Sequence, residues 1–386
     1  MNQMYGTVTS LHIEPSSRCN ASCPVCIRNS SGGAVHPDLE LTELSLADIK
    51  QMIPVELIAQ ITNITFCGNV GDPCMASELI QILEYFREHS PEIQLLVSTN
   101  GGMRDTTFWT AMGNFFKLNQ TIYSGVVFGV DGLEDTNHIY RRGVVWEKLI
   151  RNMRAYSATG ATARWDWLLF DHNKHQIEEA RKLAKELNFD LAFKNPMGFS
   201  NDNNTFKPVT VYNKRGEYEY AIWPADHVGE KTAPNVARIV DFPAMYKQQK
   251  IHKTVPVITE FGRSLENNTI KCKSLAKLNQ GEVYISATGH MLPCCYLGSV
   301  LGTTADTYSR YQFNNLIDNY GIEKFDLRKQ SMAEILKGPE FSKFFIDGWA
   351  ADTIENGKLL FCLETCGQTE SNVFDKLFKH ELNSKT

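Results

Sequence analysis

The stretch VTSLHI at 8–13, followed by RCNASCPVC at 18–26, decides the fold prediction. The first part is rich in β-branched and apolar residues and predicts a strand. The second part places Cys19, Cys23 and Cys26 in C-x3-C-x2-C spacing in the loop that follows. A structural zinc site takes four ligands, usually as two pairs, whereas three thiolates in one loop suit a four-iron cluster with one iron left open.

Working outward from this loop, five further β-rich runs alternate with helical patterns, at 61–66, 93–98, 125–130, 163–170 and 190–194. Leu79, Leu83 and Phe86 fall on one face of a predicted helix. Ser45 opens a capping box, and Asn173 is a predicted helix cap. Strands of this kind between helices predict a parallel sheet covered by helices. Six such units in about 200 residues predict an α/β fold, a partial (β/α)6 TIM barrel.

Barrels of this type carry their chemistry in the loops that follow the C-terminal strand ends. Unusual polar residues fall at those positions after strands two to five. The candidate site residues there, besides the three cysteines, are Gly71, Asp72, Pro73, Ser98, Thr99, Asn100, Asp131 and Asn173.

We divide the chain into a core at 1–200, a connector at 201–260 with little regular structure, and a cysteine-bearing α+β domain at 261–386. Aromatic residues of the connector are expected to pack against the barrel or to line a substrate pocket: Tyr212, Tyr218, Tyr220 and Trp223. A strand at 282–286 and a turn at 287–290 predict a hairpin that brings Cys272 and Cys294 together. A last helix is predicted to present Val373, Phe374, Leu377 and Phe378 on one face.

Composition narrows the functional classes. The 386 residues contain 39 Lys and Arg against 44 Asp and Glu, a formal net charge of -5, which disfavours nucleic acid as the default partner. No apolar run approaches the length of a membrane-spanning helix, so no membrane partner is expected. The N-terminus lacks a signal-peptide pattern, which predicts a cytoplasmic protein. In that reducing compartment, ten clustered cysteines indicate metal or redox chemistry instead of disulfides.

The cysteine triad behind the first strand of a six-unit array resembles the radical S-adenosylmethionine (radical SAM) superfamily. The resemblance implies that Cys19, Cys23 and Cys26 hold a catalytic [4Fe-4S] cluster whose open iron binds S-adenosylmethionine. Reductive cleavage then gives a 5'-deoxyadenosyl radical that abstracts hydrogen from the substrate. By the same resemblance, residues 71–73 contact the methionyl amine, and residues 98–100 lie beside the ribose and carboxylate.

Two further segments fit this resemblance. GVDG at 129–132, which includes Asp131, and YRRG at 140–143 match the family's fourth-strand segment and its downstream arginine. Arg141 or Arg142 is then expected to pair with the methionyl carboxylate, a group that suits the guanidinium fork. The sequence leaves the choice between the two arginines open.

The C-terminal cysteines resemble the auxiliary-cluster domain called SPASM, or its shorter form called twitch. Cys272, Cys294, Cys362 and Cys366 fit one fully ligated [4Fe-4S] cluster, the second in the chain, with an electron-transfer or structural role. A four-cysteine zinc site has the same ligand count. Cys295 is either a spare thiol or the ligand in place of Cys294. The remaining cysteines, Cys67 and Cys74, are expected to be small buried hydrophobic residues.

The predicted function is that of a radical SAM enzyme, an oxidoreductase or a transferase, acting on a small polar metabolite or a peptide. The first strand begins by Val8, leaving little room for a peptide-binding extension, and this favours a small molecule. An electron donor such as flavodoxin or ferredoxin is the expected partner. The alternatives are a radical SAM enzyme that modifies ribosomal peptides or RNA, and a non-enzymatic iron-sulfur or zinc redox sensor.

Overall fold

One eight-stranded sheet organises the chain. The computed structural model describes residues 8–118, 124–196, 199, 201–202, 205–226, 231, 236–244, 256–275, 281–299 and 308–367. The predicted last helix, with Val373 and Phe374, lies outside the described residues. In the sheet the strand order is β12-β11-β1-β2-β3-β4-β5-β6. The strands are β1 (Val8–Ile13), β2 (Asn63–Phe66), β3 (Gln94–Thr99), β4 (Gly125–Gly129), β5 (Ala163–Leu168), β6 (Phe189–Lys194), β11 (Gly281–Ile285) and β12 (Met291–Leu292).

All six predicted core strands form, and β1 to β6 pair in parallel in chain order. The sheet does not close on itself among the described residues, so the α/β class and the partial barrel are confirmed. The fifth strand is shorter than predicted. It ends at Leu168 because Asn173 Nδ2 donates to the Leu168 carbonyl at 2.9 Å and Asn173 Oδ1 accepts from Phe170 N at 2.8 Å, which turns the chain.

Helices cover one face of this sheet. In chain order the helices are α1 (Leu46–Met52), α2 (Val55–Ile58), α3 (Leu79–His89), α4 (Thr106–Leu118), α5 (Asn137–Tyr140), α6 (Trp146–Ser157), α7 (Ile177–Glu186), α8 (Glu260–Ser264), α9 (Cys295–Gly298), α10 (Tyr308–Tyr320), α11 (Met332–Lys337), α12 (Pro339–Phe341), α13 (Asp347–Ala350) and α14 (Leu360–Cys366). Ser45 and Asp48 form the predicted capping box of α1. None of the helices in the described ranges is long and apolar enough to cross a membrane.

The two faces of the sheet differ in polarity. In β2 and β3 the side chains of Ile64, Phe66, Leu95 and Val97 are fully buried towards the helices. The alternating residues are only partly buried, and many are polar, because successive strand residues point to opposite faces. The sheet therefore has one apolar face that forms the core and an opposite, open face whose side chains are partly buried and often polar.

The predicted C-terminal hairpin is confirmed, and it joins the core sheet. Residues of β11 pair with β12 in antiparallel fashion, with Ile285 opposite Met291. On its other side β11 pairs in parallel with β1, with Leu11 opposite Val283. The hairpin thus lies beside the strand that leads into the cysteine triad.

The connector contains more regular structure than predicted. Short strands β7 (Asn201–Asp202) and β8 (Thr205–Phe206) pair with each other, as do β9 (Val209–Tyr212) and β10 (Tyr218–Ile222). The prediction of little regular structure is wrong for these segments. The pattern VTVY-NKRGE-YEYAI explains the second hairpin, because β-branched and aromatic runs flank a turn whose Gly216 has φ 81°.

Candidate functional site

The three cysteines of the triad loop, residues 19–26, lie at the C-terminal end of β1. Cys23 is buried, and Cys19 and Cys26 are half-buried. The loop is held by its own backbone: Cys26 N donates to the Cys23 carbonyl at 3.0 Å, and Ala21 N donates to Cys19 Sγ at 3.3 Å. Burial raises the pKa of Cys19 to about 12 and that of Cys26 to about 11, with further contributions from the neighbouring thiols. Three thiols that influence one another in one loop form a donor set that fits an iron-sulfur cluster.

Asn100 connects the end of β3 with the triad loop. Its side-chain nitrogen Nδ2 donates to Asn20 Oδ1 at 2.8 Å and lies 3.6 Å from Cys19 Sγ. Its Oδ1 accepts from Gly102 N at 2.8 Å. The third-strand end predicted from the sequence is therefore in direct contact with the cysteines.

Asp72 is buried in the loop after β2 and is fully engaged by hydrogen bonds. Its carboxylate accepts from Thr99 Oγ1 at 2.8 Å, from Asn100 N at 2.8 Å and from Cys74 N at 3.0 Å. Burial raises the pKa of Asp72, and these donors oppose the shift. The residue ties the second loop to the third, and it also caps the short 3-10 helix at Pro73–Met75.

The neighbouring candidates have different surroundings. A Cβ at Gly71 would lie 1.7 Å from the Ser16 carbonyl oxygen, so only glycine fits where this loop crosses the exit of β1. Pro73 and Cys74 are buried, as expected for Cys74 as a small hydrophobic residue. Ser98 lies within β3 and hydrogen-bonds the Cys67 thiol.

Arg141 and Asp131 form a buried ion pair beside the triad. Arg141 Nε lies 2.6 Å from Asp131 Oδ2, and Asp131 is completely buried. Arg141 Nη1 lies 3.9 Å from Cys23 Sγ. A Cβ at Gly129 would come within 2.6 Å of Arg141 Nη2, so the guanidinium rests against the end of β4. This arrangement places a fixed positive charge at the edge of the triad.

Arg142 points elsewhere. Its Nη2 lies 2.6 Å from Glu219 Oε2, and its Nη1 donates to Tyr220 Oη at 2.9 Å. Both partners belong to β10 of the connector, so at least one predicted connector aromatic packs against the core. The two adjacent arginines therefore have different partners: Arg141 contacts the triad, and Arg142 binds the connector hairpin.

Asn173 has its side chain satisfied within the core. Its Nδ2 donates to the Asp131 carbonyl and to the Leu168 carbonyl, each at 2.9 Å. By position it is the N-terminal cap residue of the 3-10 helix Lys174–Gln176, but its side chain makes no capping hydrogen bond to that helix. The contacts link the loop after β5 to Asp131, and so hold the Arg141 partner in place.

The open face of the sheet carries a row of polar side chains below these loops. Strand register places His12 beside Thr65, and Asn63 beside Gln94, on this face. On β5 and β6, Asp166 accepts from Arg164 Nε at 2.5 Å and from Lys194 Nζ at 2.9 Å. Because Asp166 pairs with Gly129 in register, this charged group sits next to the position where Arg141 rests.

The four C-terminal cysteines come together from three segments, 272, 294 and 362–366. Burial and the nearby Cys362, Cys295 and Cys272 raise the pKa of Cys294 well above its ordinary value. The pKa of Cys362 is likewise raised by burial and by Cys272 and Cys366. Cys295 has a different environment: burial and Glu282 raise its pKa to about 11, and Glu14 adds to the rise.

An indole group adjoins the C-terminal cysteines. Trp349 Nε1 is buried, and a hydrogen bond from the Trp349 side chain to Cys362 opposes the rise in the pKa of that thiol. A buried N–H directed at sulfur fits a site that holds anionic thiolates. No group of three or more His, Cys, Asp or Glu side chains in the described ranges is arranged to hold a single metal ion. In a four-iron cluster, each cysteine binds a different iron.

Sequence reasoning missed a buried polar group between the two cysteine sites. Glu14, Tyr284 and Asn69 form it, together with Cys67. Cys67 is half-buried and hydrogen-bonded to Ser98, so the expectation of a small buried hydrophobic residue is wrong for it. Glu14 directly follows β1 and is 2% exposed, which is unusual for a carboxylate. A glutamate immediately after the predicted strand VTSLHI is the one signal for it in the sequence.

Comparison with known proteins identifies part of the chain. Residues 13–190, slightly less than half of the chain, match the family model described as the Radical SAM superfamily. This segment contains the triad and runs from the end of β1 into β6. No curated protein matches the chain.

Several solved structures are similar in arrangement at low sequence identity. The crystal structure of Streptococcus suis SuiB has 13% identity and a TM-score of 0.48, covering 87% of this chain and 67% of that one. Native anSMEcpe with bound AdoMet and Cp18Cys peptide has 15% identity and a TM-score of 0.47, covering 97% and 99%. BtrN in complex with AdoMet and 2-DOIA has 12% identity and a TM-score of 0.41, covering 92% and 93%.

Proposed function

We propose that this protein is a radical SAM enzyme that uses two [4Fe-4S] clusters and acts on a polar substrate. The match of residues 13–190 to the Radical SAM superfamily and the three mutually interacting thiols within that segment support the proposal most directly. Cys19, Cys23 and Cys26 would hold the first cluster. Such a cluster, when bound, supplies one electron that breaks a carbon-sulfur bond of S-adenosylmethionine, giving methionine and a 5'-deoxyadenosyl radical that takes a hydrogen atom from the substrate.

The polar residues around the triad would position S-adenosylmethionine. The backbone of the loop at Gly71 and Asp72 would receive the amine, and the Ser98–Asn100 segment would lie beside the ribose. Thr99 and Asn100 already orient Asp72. Asp131 and Asn173 act behind this layer, since their polar groups are engaged with Arg141 and with the backbone.

Arg141 is the arginine that we assign to the methionyl carboxylate. Its Nη1 lies 3.9 Å from the triad sulfur of Cys23, and Asp131 fixes its guanidinium at Nε, so its terminal nitrogens lie on the triad side, where a carboxylate would accept from them. Arg142 is committed to Glu219 and Tyr220. The different contacts of the two arginines support this assignment.

The polar face of the sheet supports a polar substrate. The interior of a partial barrel that bound an apolar ligand would carry apolar side chains, as ligand pockets usually do. Here the open face presents His12, Thr65 and the charged group of Arg164, Asp166 and Lys194. A small metabolite or a peptide with charged groups fits these contacts.

Cys272, Cys294, Cys362 and Cys366 would hold the second cluster with all four irons ligated. Full ligation leaves no position for a substrate, so electron transfer is the role that follows, with flavodoxin or ferredoxin as the donor class. The buried Trp349 N–H beside Cys362 supports a site for anionic sulfur.

The test is turnover of S-adenosylmethionine itself. Anaerobically reconstituted protein, reduced with dithionite, should convert it to 5'-deoxyadenosine and methionine in equal amounts, measured by mass spectrometry. The variant with Cys19, Cys23 and Cys26 all replaced by Ala should produce neither. Cys74→Ala, a buried cysteine outside both sites, serves as the matched control. Absence of 5'-deoxyadenosine from the reconstituted parent protein with several reductants would refute the function.

A further inference from the structure

The loop after β2, residues 67–72, is held in place by a carboxylate from a different element. Val70 N and Gly71 N both donate to Glu14 Oε1 at 2.8 Å. Arg28 Nη1 adds a hydrogen bond to the Val70 carbonyl at 2.9 Å. Since two consecutive amides share one oxygen, the position of Glu14 determines the backbone conformation of this loop.

Glu14 is in turn oriented by the C-terminal hairpin. Its second carboxylate oxygen accepts from the hydroxyl of Tyr284 on β11, and Tyr284 is 1% exposed. The Glu14 backbone is fixed as well, because Glu14 N donates to the Ile285 carbonyl at 2.9 Å. Burial raises the pKa of Glu14, so each of these donors stabilises a carboxylate that would otherwise be costly. Tyr284, in the C-terminal hairpin, thus positions the loop at residues 67–72 through Glu14.

Asn69 makes a second connection between the same regions. Its side-chain Nδ2 donates to the Cys295 carbonyl at 2.7 Å, at the start of α9 and next to Cys294. Its own carbonyl oxygen lies 3.9 Å from Cys26 Sγ of the triad. One residue therefore touches both the triad and the segment that carries the C-terminal cysteines.

We propose that Glu14, Tyr284 and Asn69 are positioning residues through which the C-terminal hairpin sets the conformation of the 67–72 loop. The consequence is that binding of S-adenosylmethionine at the triad depends on the hairpin, although the hairpin lies outside the segment that matches the Radical SAM superfamily. This last step rests on the proposed function, because it assigns the loop to the methionyl amine. The positioning itself rests only on the contacts.

The test uses Tyr284→Phe, which removes one hydroxyl and keeps the ring. Hydrogen exchange of peptides that cover residues 67–72 should become about tenfold faster, as expected when a hydrogen bond to a buried charged group is lost. The affinity for S-adenosylmethionine, measured by calorimetry on the reconstituted protein, should fall by about tenfold. Tyr156→Phe is the control, because it removes another buried hydroxyl, bonded to the Thr162 carbonyl at 3.1 Å.

Three further variants separate positioning from general destabilisation. Glu14→Gln keeps an acceptor oxygen for Val70 N and Gly71 N, so its exchange rates should stay near those of the parent, whereas Glu14→Ala should match Tyr284→Phe or exceed it. Asn69→Ala should accelerate exchange of the same loop. Unchanged exchange of residues 67–72 in both Glu14→Ala and Tyr284→Phe would overturn the inference.

The remaining outcomes are also decisive. Faster loop exchange without any change in affinity would overturn the claim that the hairpin governs binding. Failure of the parent protein to bind S-adenosylmethionine would count against the proposed function, while the exchange data would still decide whether these residues position the loop.

Discussion

The two cysteine sites of this protein are built in opposite ways. The triad lies within the single loop 19–26, whereas the C-terminal site draws on residues 272, 294 and 362–366. The triad is surrounded by polar groups, among them Asn100 and the half-buried Arg141. At the C-terminal site Cys272 and Cys362 are buried, and Leu275 N and the Trp349 side chain hydrogen-bond their sulfurs. Polar side chains around a site suit a site that binds a ligand, and a buried site suits a centre that only passes electrons.

The difference also concerns folding. A loop of eight residues brings its thiols together with little loss of chain entropy, while the C-terminal site requires that three distant segments pack first. The first site should therefore tolerate damage to its surroundings better than the second.

Cys294→Ala should remove the second cluster, whereas Cys295→Ala should leave it intact. Cys294 lies among Cys272 and Cys362, while Cys295 faces Glu282 and Glu14. Iron analysis after anaerobic reconstitution should give about four irons per chain for Cys294→Ala and about eight for Cys295→Ala. Equal iron contents in the two variants would contradict the prediction that Cys294, and not Cys295, is the cluster ligand.

Arg141→Gln should destabilise the protein strongly, because it leaves the completely buried Asp131 without a cation. Breaking one side of a buried pair costs roughly 3–5 kcal/mol. Arg142→Gln, which loses a partly exposed pair with Glu219, should cost about 1 kcal/mol or less. Anaerobic urea denaturation compares the two variants, and similar losses of stability would contradict the division between the arginines.

Asp72→Asn should weaken the triad site more than the C-terminal site. The carboxylate accepts from Thr99, from Asn100 N and from Cys74 N. In the variant an amide nitrogen would replace one of the two oxygens, and this nitrogen, itself a donor, would lie against these donors. The cost should be about 1–3 kcal/mol in the free energy of unfolding, with weaker binding of S-adenosylmethionine. Iron in the C-terminal site should not change. A loss of iron from that site would show that the two sites are not separately held.

His172 provides a titration away from both cysteine sites. Burial lowers its pKa to about 4, while Asp171 opposes the shift and His138, His175 and Lys231 add to it. The folded state then binds fewer protons than the unfolded state between about pH 6.5 and 4, so stability falls as the pH falls through this range. By pH 5 the loss should be about 2 kcal/mol. In His172→Gln the denaturation midpoint should fall less between about pH 6.5 and 5 than it does in the parent protein. The same pH dependence in the variant and in the parent would contradict the assignment of this loss to His172.

The local parts of the structure could be predicted from the sequence. The six parallel strands follow from apolar periodicity, and the capping box at Ser45 follows from spacing. The hairpin at 281–292 follows from its turn residues. Each of these signals lies within a few residues of the element that it specifies.

The long-range parts could not be predicted, because no local pattern encodes them. The pairing of β11 with β1 joins residues that lie far apart in the chain, and the contact of Tyr284 with Glu14 depends on that pairing. The connector hairpin was missed, although its strands flank a glycine turn. Arg141 and Arg142 are chemically identical neighbours, so only the packing of β4 and β10 against them separates their roles.

The iron content of the triad variant tests the two-site account most directly. With Cys19, Cys23 and Cys26 all replaced by Ala and the protein reconstituted anaerobically, about four of about eight irons should remain, held by the C-terminal site. Retention of all the iron would contradict the triad as a cluster site. Loss of all the iron would contradict a C-terminal cluster that is held separately.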